Sequence, residues 1–324
     1  METDVAGERE ETLMRAVVVR SPGGPDALEV IEAPLPVPAS SQVRVRVEAA
    51  AVNPVDLATR SGALIEAGVM EPREVIGLGW DVAGRIDAVG PGVTTFAPGD
   101  PVIGIQDRLE VSLGAYAEYV VLDIGAVAPA PEGLSPVEAA TLPLNALTAQ
   151  QSLDLLELEA GATLLVTGAA GAVGGYAVEL AALSGVAVVG VAAERDEPFV
   201  RKAGAQWFVP RTADPGLAVR ELVPGGVDAA LDAAVLGLPA LGAVRNYGGF
   251  VSVVGGAAPV PLRGIEVHEQ WVAGDGGALR RLASLAATGR LTTRVADTLP
   301  LEEAARAHRL LAEGGVRGRL VLVP

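Results

Sequence analysis

The chain has 324 residues, a formal net charge of −16, no cysteine and only 3% aromatic residues. Its length favours two domains, and its acidic balance argues against a nucleic-acid partner, whose phosphates are bound by Lys and Arg. The missing cysteines exclude disulfides and thiolate chemistry, and because we find no long apolar run and no basic-then-apolar leader we expect a cytoplasmic protein.

The first third of the chain is expected to be rich in β-structure. Residues 1–13 are polar and acidic and are predicted to be a loose tail, with the first strand starting at Met14. Residues 43–48 alternate between valine and charged side chains, which is typical of a half-buried strand. Further short β-like runs, separated by glycine and proline clusters, occupy residues 82–89, 101–105 and 116–122. This pattern predicts a compact β-rich domain.

After Pro131 the pattern changes to alternating strands and helices. Ser135, Pro136 and Glu138 mark a helix start, with Ser as the N-cap and Glu three residues on. Strands are predicted at 163–167, 186–191, 207–209, 227–231 and 250–254, and helices at 174–183, 198–203, 217–223 and 238–245. This alternation predicts an α/β fold with a doubly wound parallel sheet. Helices at 278–287 and 301–312 and a strand at 319–323 are expected to return to the first domain.

A glycine-rich turn inside this region predicts a dinucleotide site. Residues 164–167 form an apolar strand that runs directly into Gly168, Gly171 and Gly174, and an apolar-patterned helix follows. Glycine allows close approach of a ligand, and free N–H groups at a helix start favour a phosphate. The spacing Gly-x-x-Gly-x-x-Gly departs from the usual fingerprint, but strand, helix, next strand and the acid Glu194 stand in the expected order. We therefore favour a dinucleotide site over a tight turn in a nucleotide-free α/β domain.

Taken in order, the motifs of the chain resemble those of one known family. They include Asn53-Pro54-Val55-Asp56, Gly79-Trp80-Asp81, Gly114-Ala115-Tyr116, the glycine turn and Arg317-Gly318-Arg319. From Met14 onward the chain resembles the zinc-independent medium-chain dehydrogenase/reductase family, in its quinone oxidoreductase (zeta-crystallin-like) branch. The resemblance implies a β-rich GroES-like catalytic domain from residues 14–125 and 266–324, a Rossmann dinucleotide-binding domain over residues 126–265, and usually a homodimer.

The residues argue against zinc, which alcohol-oxidising relatives use. A catalytic zinc needs three converging Cys, His or carboxylate ligands, whereas the chain has no cysteine and only two histidines. Residues 77–81 replace the Gly-His-Glu segment of the zinc-dependent branch. His268 is isolated in the sequence, and His308 is expected at the surface of an amphipathic helix. We predict that no metal is bound.

Without a metal, the resemblance implies hydride transfer from NADPH to a quinone or an α,β-unsaturated carbonyl. Such acceptors are already electrophilic, so orientation and exclusion of water can supply most of the catalysis. Three alternatives stay open. The same fold could serve an enoyl reductase or other tailoring enzyme of a biosynthetic, polyketide-like pathway, a non-redox enzyme such as a cyclase, or a cofactor-binding protein without turnover.

The resemblance places two catalytic candidates in the cleft. Asn53 is expected beside the nicotinamide and Tyr116 near it, against the competing interpretations of an Asn-Pro turn residue and a buried core tyrosine. Asp81 is expected to be a structural acceptor for loop N–H groups. Relatives commonly carry tyrosines where this chain has Ala58 and Leu64. The expected site is therefore more apolar, with the final proton taken from water.

Further residues are expected to contact the cofactor by their family positions. Thr148 is expected to approach the nicotinamide, and the pyrophosphate is expected to meet Gly171, Ala172, Val173 and Gly174. Gly255 and Gly256 follow the last strand, where open α/β sheets bind ligands. Arg319 is expected either to reach the cofactor from the C-terminal strand or to form a surface salt bridge.

Three residues bear on the choice between NADPH and NADH. Glu194 lies 20 residues after Gly174, where an acid can bind a ribose 2′-hydroxyl and favour NADH. Arg195 and Arg211 could instead clamp a 2′-phosphate, or be solvated surface arginines. We favour NADPH over NADH.

Overall fold

The computed structural model describes residues 12–324, so most of the tail expected at residues 1–13 lies outside the described residues. Leu13 already belongs to the first strand, one residue before the predicted start. The strands, in chain order, are β1 (Leu13–Val19), β2 (Glu29–Pro34), β3 (Gln42–Ala51), β4 (Ile76–Gly77), β5 (Asp81–Val89), β6 (Pro101–Ile105), β7 (Tyr119–Asp123), β8 (Val127–Pro129), β9 (Thr163–Thr167), β10 (Ala187–Ala192), β11 (Trp207–Pro210), β12 (Val227–Asp232), β13 (Val244–Ser252), β14 (Glu266–Glu269), β15 (Val295–Pro300) and β16 (Arg319–Val323).

The helices connect these strands. They are α1 (Pro54–Ser61), α2 (Ala63–Glu66), α3 (Pro136–Ala139), α4 (Pro143–Leu156), α5 (Ala172–Leu183), α6 (Glu197–Lys202), α7 (Pro215–Leu222), α8 (Leu238–Ala243), α9 (Gly276–Ala287) and α10 (Ala304–Glu313). Single 3₁₀ turns cover Pro25–Ala27, Ile124–Ala126, Glu194–Asp196 and Leu301–Glu303. Across residues 12–324, no helix combines the length and the apolar character that a membrane crossing needs.

The middle of the chain forms a six-stranded sheet in the order β11-β10-β9-β12-β13-β14, with every neighbouring pair parallel. Val166 in β9 pairs with Gly190 on one side and Leu231 on the other, so β9 is the strand at which the sheet order reverses. This arrangement confirms the predicted doubly wound α/β fold. The last strand, β14, starts at residue 266 and so lies beyond the predicted end of this segment at 265.

The two ends of the chain form the antiparallel part. One path runs β15-β16-β3-β5-β6-β8, with β7 also paired to β3, and a second, three-stranded sheet has the order β2-β1-β4. The C-terminal strand pairs with the first third of the chain through Val321 and Ala51, as the sequence predicted. The strand expected at 116–122 begins only at Tyr119, because the Tyr116 N–H is bonded to the carbonyl of Leu78.

A shared apolar core joins the two parts. Ile103 and Val321 from the antiparallel strands pack in one buried cluster with Leu147 of α4, Val166 of β9 and Leu282 of α9. Helix α4 is buried over most of its length and therefore lies between the two sheets. Its first turn is where the side chains of both parts meet.

Candidate active site

The glycine turn has the geometry that its sequence predicted. β9 ends at Thr167, Gly168 follows with a φ of +61°, and Gly171 is the N-cap of α5. The Gly171 N–H donates to the Gly168 carbonyl at 2.7 Å. A Cβ on Gly174 would overlap that same carbonyl, so only glycine lets the helix start this close to the turn. The helix begins at Ala172, two residues earlier than predicted.

A buried aspartate orders the neighbouring loop. Asp232, at the end of β12, accepts hydrogen bonds from the Thr167 hydroxyl and from the backbone N–H groups of Leu236 and Gly237. The exits of β9 and β12 are thereby tied together at the carboxyl edge of the sheet. Ligands of open α/β sheets bind at this edge.

The predicted contacts Gly255 and Gly256 lie at the same edge, after β13. The Gly256 N–H donates to the carboxylate of Glu269 at 2.9 Å. Gly255 lies under the indole of Trp271, which a Cβ at this position would overlap. Thr148, the third predicted contact, is buried in α4 and donates its hydroxyl proton to the Leu144 carbonyl at 2.7 Å.

The three residues that bear on cofactor choice lie at the exits of β10 and β11. Glu194 and Arg195 belong to the 3₁₀ turn after β10, and both are exposed. Arg211 is exposed as well, and its backbone N–H is bonded to the carbonyl of Ala192 at the end of β10. The structure therefore brings the two arginines and the acid to one corner of the sheet edge.

Asn53 is the centre of a buried polar network between the two parts of the chain. Its side-chain amide donates to Asp81 at 2.7 Å and to the Ala51 carbonyl at 3.3 Å. Its carbonyl oxygen accepts from Asn145 of α4 at 2.9 Å and from the guanidinium of Arg319. Both amide protons and the oxygen of Asn53 are thus bound to protein groups.

Tyr116 belongs to the same network through Asp56. The Tyr116 ring is fully buried, and its hydroxyl donates to Asp56 at 3.0 Å. Asp56 also accepts from the N–H groups of Asn53 and Gly79. Burial disfavours the charged carboxylate and raises the pKa of Asp56 to about 7, although these hydrogen bonds act in the opposite direction. Burial likewise raises the pKa of Tyr116 well above its usual value.

Asp81 links the antiparallel part to α4. One carboxylate oxygen accepts from the Leu144 N–H in the first turn of that helix at 2.6 Å, and the other accepts from Asn53. Burial raises the pKa of Asp81 to about 6, while these bonds and the charge of Arg319 lower it. A carboxylate at a helix N-terminus satisfies a free N–H and interacts favourably with the helix dipole. The geometry matches the structural role expected for Asp81.

Arg319 is buried, which contradicts the alternative of a surface salt bridge. β16 lies between β15 and β3, and burial of the Arg319 side chain lowers its pKa. Its Nε has no hydrogen-bond partner among the described residues. Together with Tyr176 and Arg294 it lines a cavity of about 10 Å³ beside the start of α5. Arg294 donates to the carbonyls of Ala170 and Gly171 and lies over the ring of Phe199, 4.0 Å from its centroid.

His308 is not at the surface, and that prediction is wrong. The face of α10 that carries His308 packs against α1, where its Nδ1 lies 3.3 Å from Arg60, and the ring meets Tyr116 edge-on. Burial, together with the charge of Arg60, lowers the pKa of His308 to about 3. His268 is half-buried in β14, on the other sheet.

A second cavity, of about 30 Å³, lies beside Trp80. Its apolar lining includes Met70, Leu109 and Leu113, and the amide of Gln106 at its edge is engaged by the Val121 carbonyl and the Arg108 N–H. This volume is far below the roughly 300–1,000 Å³ of small-molecule sites, so the cavity marks an apolar wall beside Trp80 and not a complete ligand site.

The structure therefore gathers the predicted residues into two groups. Asn53, Tyr116 and Arg319 share the buried network, whereas Glu194, Arg195 and Arg211 share the exposed corner. Sequence reasoning did not single out Asn145, Asp56 or Arg294. A signal existed for Asp56, because an acid three residues after an N-cap asparagine is a capping pattern. The long-range partners Asn145 and Arg294 left no such local signal.

Two family models match the chain. Residues 39–132 match the alcohol dehydrogenase GroES-like domain, and residues 199–322 match the zinc-binding dehydrogenase model. Within residues 12–324, no three His, Asp or Glu side chains are grouped so that they could hold a metal ion.

Known proteins from several organisms are similar to the chain. The quinone-oxidoreductase homolog of Spinacia oleracea chloroplasts is 35% identical over 190 residues, and this match spans only 56% of either chain. The quinone oxidoreductase of Sus scrofa is 30% identical over 334 residues, which are 97% of this chain and 98% of the pig protein. The chloroplastic NADPH-dependent alkenal/one oxidoreductase of Arabidopsis thaliana is 29% identical over 321 residues, or 96% of this chain and 80% of that one.

Solved structures agree over the whole fold. The quinone oxidoreductase from Coxiella burnetii superposes with a TM-score of 0.87 at 29% identity, covering 97% of this chain and 100% of the other. An NAD-dependent alcohol dehydrogenase superposes with a TM-score of 0.84 at 35% identity, covering 96% and 100%.

Proposed function

The chain belongs to the medium-chain dehydrogenase/reductase family, in its quinone oxidoreductase branch, and from this premise we propose that it is an oxidoreductase that reduces a quinone or an α,β-unsaturated carbonyl with NADPH. The members of this family use nicotinamide cofactors. The observation that carries the proposal is the glycine turn at the carboxyl edge of a parallel sheet with dinucleotide-binding strand order. The names of the pig and Arabidopsis relatives support the two acceptor classes.

The residues at this edge fit a dinucleotide. Glycine at 174 keeps the helix start close to the turn, where the free N–H groups of the first turn would donate hydrogen bonds to a diphosphate. The buried guanidinium of Arg319, with its unpartnered Nε, adds a donor and positive charge beside the same turn. A reduced nicotinamide held at this edge would supply the hydride.

Two observations support NADPH over NADH. Arg195 and Arg211 are both exposed at the sheet corner where the adenosine ribose is expected, and neither forms an ion pair with another described residue. Two guanidinium groups without carboxylate partners can bind a 2′-phosphate. Glu194 lies in the same turn and would favour the 2′-hydroxyl of NADH, so the balance between these charges decides the cofactor.

We propose positioning roles for the two residues first placed in catalysis. Asn53 has both amide protons bound within the protein, so its part is to orient Arg319 and to join Asp81 to Asn145. The Tyr116 hydroxyl donates a hydrogen bond to Asp56, and the Tyr116 side chain is fully buried. The acceptor then lies against the apolar wall that includes Trp80, where exclusion of water and orientation favour the reaction, and the final proton comes from water.

We also propose that no metal takes part. The chain has no cysteine, and the carboxylate of Asp81, which follows Trp80, is already bound to Leu144 and Asn53. A conjugated acceptor needs no Lewis acid to accept a hydride. Activity that survives prolonged dialysis against a chelator is the expected result, and loss of activity that zinc restores would contradict it.

The central experiment follows NADPH consumption at 340 nm with a panel of quinones and enones. We expect turnover with at least one acceptor and a lower Michaelis constant for NADPH than for NADH. Arg195→Ala should raise the constant for NADPH by about tenfold, which corresponds to one lost charged hydrogen bond, and leave that for NADH unchanged. Arg201→Ala is the matched control, because Arg201 is exposed nearby but is paired with Glu197.

Absence of turnover with every acceptor, together with tight NADPH binding, would instead support a cofactor-binding protein. Equal effects of Arg195→Ala on the Michaelis constants for NADPH and NADH would show that Arg195 does not bind the 2′-phosphate.

We further propose a homodimer, which sedimentation velocity would show as twice the chain mass of 32.8 kDa.

A further inference from the structure

Trp271 is a large aromatic side chain exposed at the ligand-binding edge of the parallel sheet. It follows β14 by two residues, and 52% of its surface is open to solvent. The six-membered ring of the indole lies against Gly255, where any Cβ would overlap it. Glycine at position 255 is therefore what leaves room for this ring after β13.

The backbone around Trp271 is fixed to α4. Gln151 accepts from the Gln270 side chain at 2.8 Å and from the Ala273 N–H at 3.1 Å, and it donates to the Ala273 carbonyl at 2.8 Å. Thr148, which is expected near the nicotinamide, lies about one helical turn before Gln151. The ring is thus held at the corner where α4 and the exits of β13 and β14 converge.

Two of the other exposed apolar side chains, Tyr247 and Leu262, lie at the opposite end of these strands, whereas Val254 lies just beyond the carboxyl end of β13, on the side of Trp271. Tyr247 and Leu262 are close to the point where the Tyr247 N–H bonds to the Arg263 carbonyl, at the amino ends of β13 and β14. Trp271 lies beyond their carboxyl ends, so it is separated from that surface by the length of the paired strands. Its position associates it with the ligand edge and not with an apolar surface shared with Tyr247.

We propose that the indole of Trp271 is one wall of the acceptor pocket and determines its preference for flat, conjugated acceptors. The proposal rests on the proposed reductase function. Stacking against an indole favours a planar π-system such as a fused-ring quinone over a small aliphatic enone, because the contact area and the ring–ring attraction are larger. A rigid ring on a glycine platform also loses little conformational freedom when a ligand stacks on it.

The test compares Trp271→Ala and Trp271→Phe with Trp207→Phe, a control on β11 at the far edge of the sheet. The first readout is the ratio of kcat/KM for 1,4-naphthoquinone to that for 3-penten-2-one. We expect this ratio to fall by about tenfold in Trp271→Ala and by less in Trp271→Phe, which keeps a flat ring. Trp207→Phe should leave the ratio unchanged.

The second readout needs no turnover. Naphthoquinone is titrated into each protein in the presence of NADP⁺, and tryptophan emission is followed. The chain has three tryptophans, and Trp80 lies on the proposed acceptor wall. Contact with Trp271 therefore predicts saturable quenching whose amplitude falls in Trp271→Phe, because only Trp80 remains beside the acceptor, and is kept in Trp207→Phe. The absence of cysteine means that the quinone cannot react with thiols and imitate this signal.

An unchanged acceptor ratio in Trp271→Ala, with quenching of undiminished amplitude in Trp271→Phe, would overturn the proposal while leaving the reductase function intact. A Trp271→Ala protein that loses its dimer in sedimentation, with equal losses for both acceptors, would assign the indole to contact with a second copy and also overturn it. Failure of the wild-type protein to oxidise NADPH with either acceptor would contradict the reductase function itself.

Discussion

Replacing Tyr116 by phenylalanine separates a buried structural tyrosine from a catalytic proton donor. The change removes only the hydroxyl that donates to Asp56 at 3.0 Å. A hydrogen bond to a charged group contributes about 1.5–3 kcal/mol to stability, and one between neutral groups about 0.5–1.5 kcal/mol. The free energy lost on substitution therefore depends on whether Asp56 carries its charge.

The sign of the pH dependence follows from the raised pKa of Asp56, which is about 7. The folded protein binds this proton more tightly than the unfolded chain, so the free energy of unfolding falls as pH rises from about 4 to about 7. The Tyr116 hydrogen bond lowers the pKa of Asp56 and so reduces that loss. We expect Tyr116→Phe to cost about 1 kcal/mol near pH 5.5 and about 2–3 kcal/mol near pH 8.5.

Urea unfolding of both proteins at the two pH values measures these differences. Tyr176→Phe is the matched control, because the hydroxyl of Tyr176 is buried but lies 3.4 Å from the Thr141 hydroxyl and bonds to no carboxylate of residues 12–324. Its cost should not change with pH. An equal loss of unfolding free energy in Tyr116→Phe at both pH values would refute the reasoning. A kcat reduced by about a hundredfold at unchanged stability would show instead that Tyr116 is a proton donor.

Two further substitutions test the buried histidine and the glycine turn. Because the pKa of His308 is lowered to about 3, the free energy of unfolding falls as pH falls from about 6.5 towards 3. His308→Phe should reduce this pH dependence by about 1.4 kcal/mol per pH unit. Parallel acid denaturation curves for the wild type and His308→Phe would contradict this expectation. Gly174→Ala should lower the thermal midpoint and weaken NADPH binding by at least about tenfold, because the new Cβ overlaps the Gly168 carbonyl. Gly125→Ala, where a Cβ meets nothing within 4 Å, is the control, and wild-type affinity in Gly174→Ala would show that the turn does not hold the cofactor.

Local patterns were sufficient to predict the parallel sheet. Strand-like runs around Gly168 and the helix start at Ser135 are encoded by neighbouring residues, and the structure shows the predicted cap, in which the Glu138 N–H donates to the Ser135 hydroxyl. The predicted ends of individual helices and strands were less accurate. The helix expected to reach Arg245 ends at Ala243, and β13 begins at Val244, because pairing with β12 extends the strand.

The candidate site depended more on distant contacts, which a single sequence does not reveal. The surface position predicted for His308 failed because α10 packs against α1, and nothing in the pattern of either helix indicates that partner. The environment of Asn53 is set by Asn145 and Arg319, which are 92 and 266 residues away along the chain. The resemblance drew attention to Asn53, but not to the fact that its amide is fully occupied.

The position of β16 has a consequence for how the chain is made. β16 lies between β15 and β3, so residues 319–323 complete the interior of a sheet whose other strands come mostly from the first third of the chain. During synthesis the parallel sheet can fold before β16 has been made, so the edge of β3 is still unpaired at that stage. Unpaired edges of this kind invite aggregation. The synthesis of residues 319–323 therefore decides when that edge is covered.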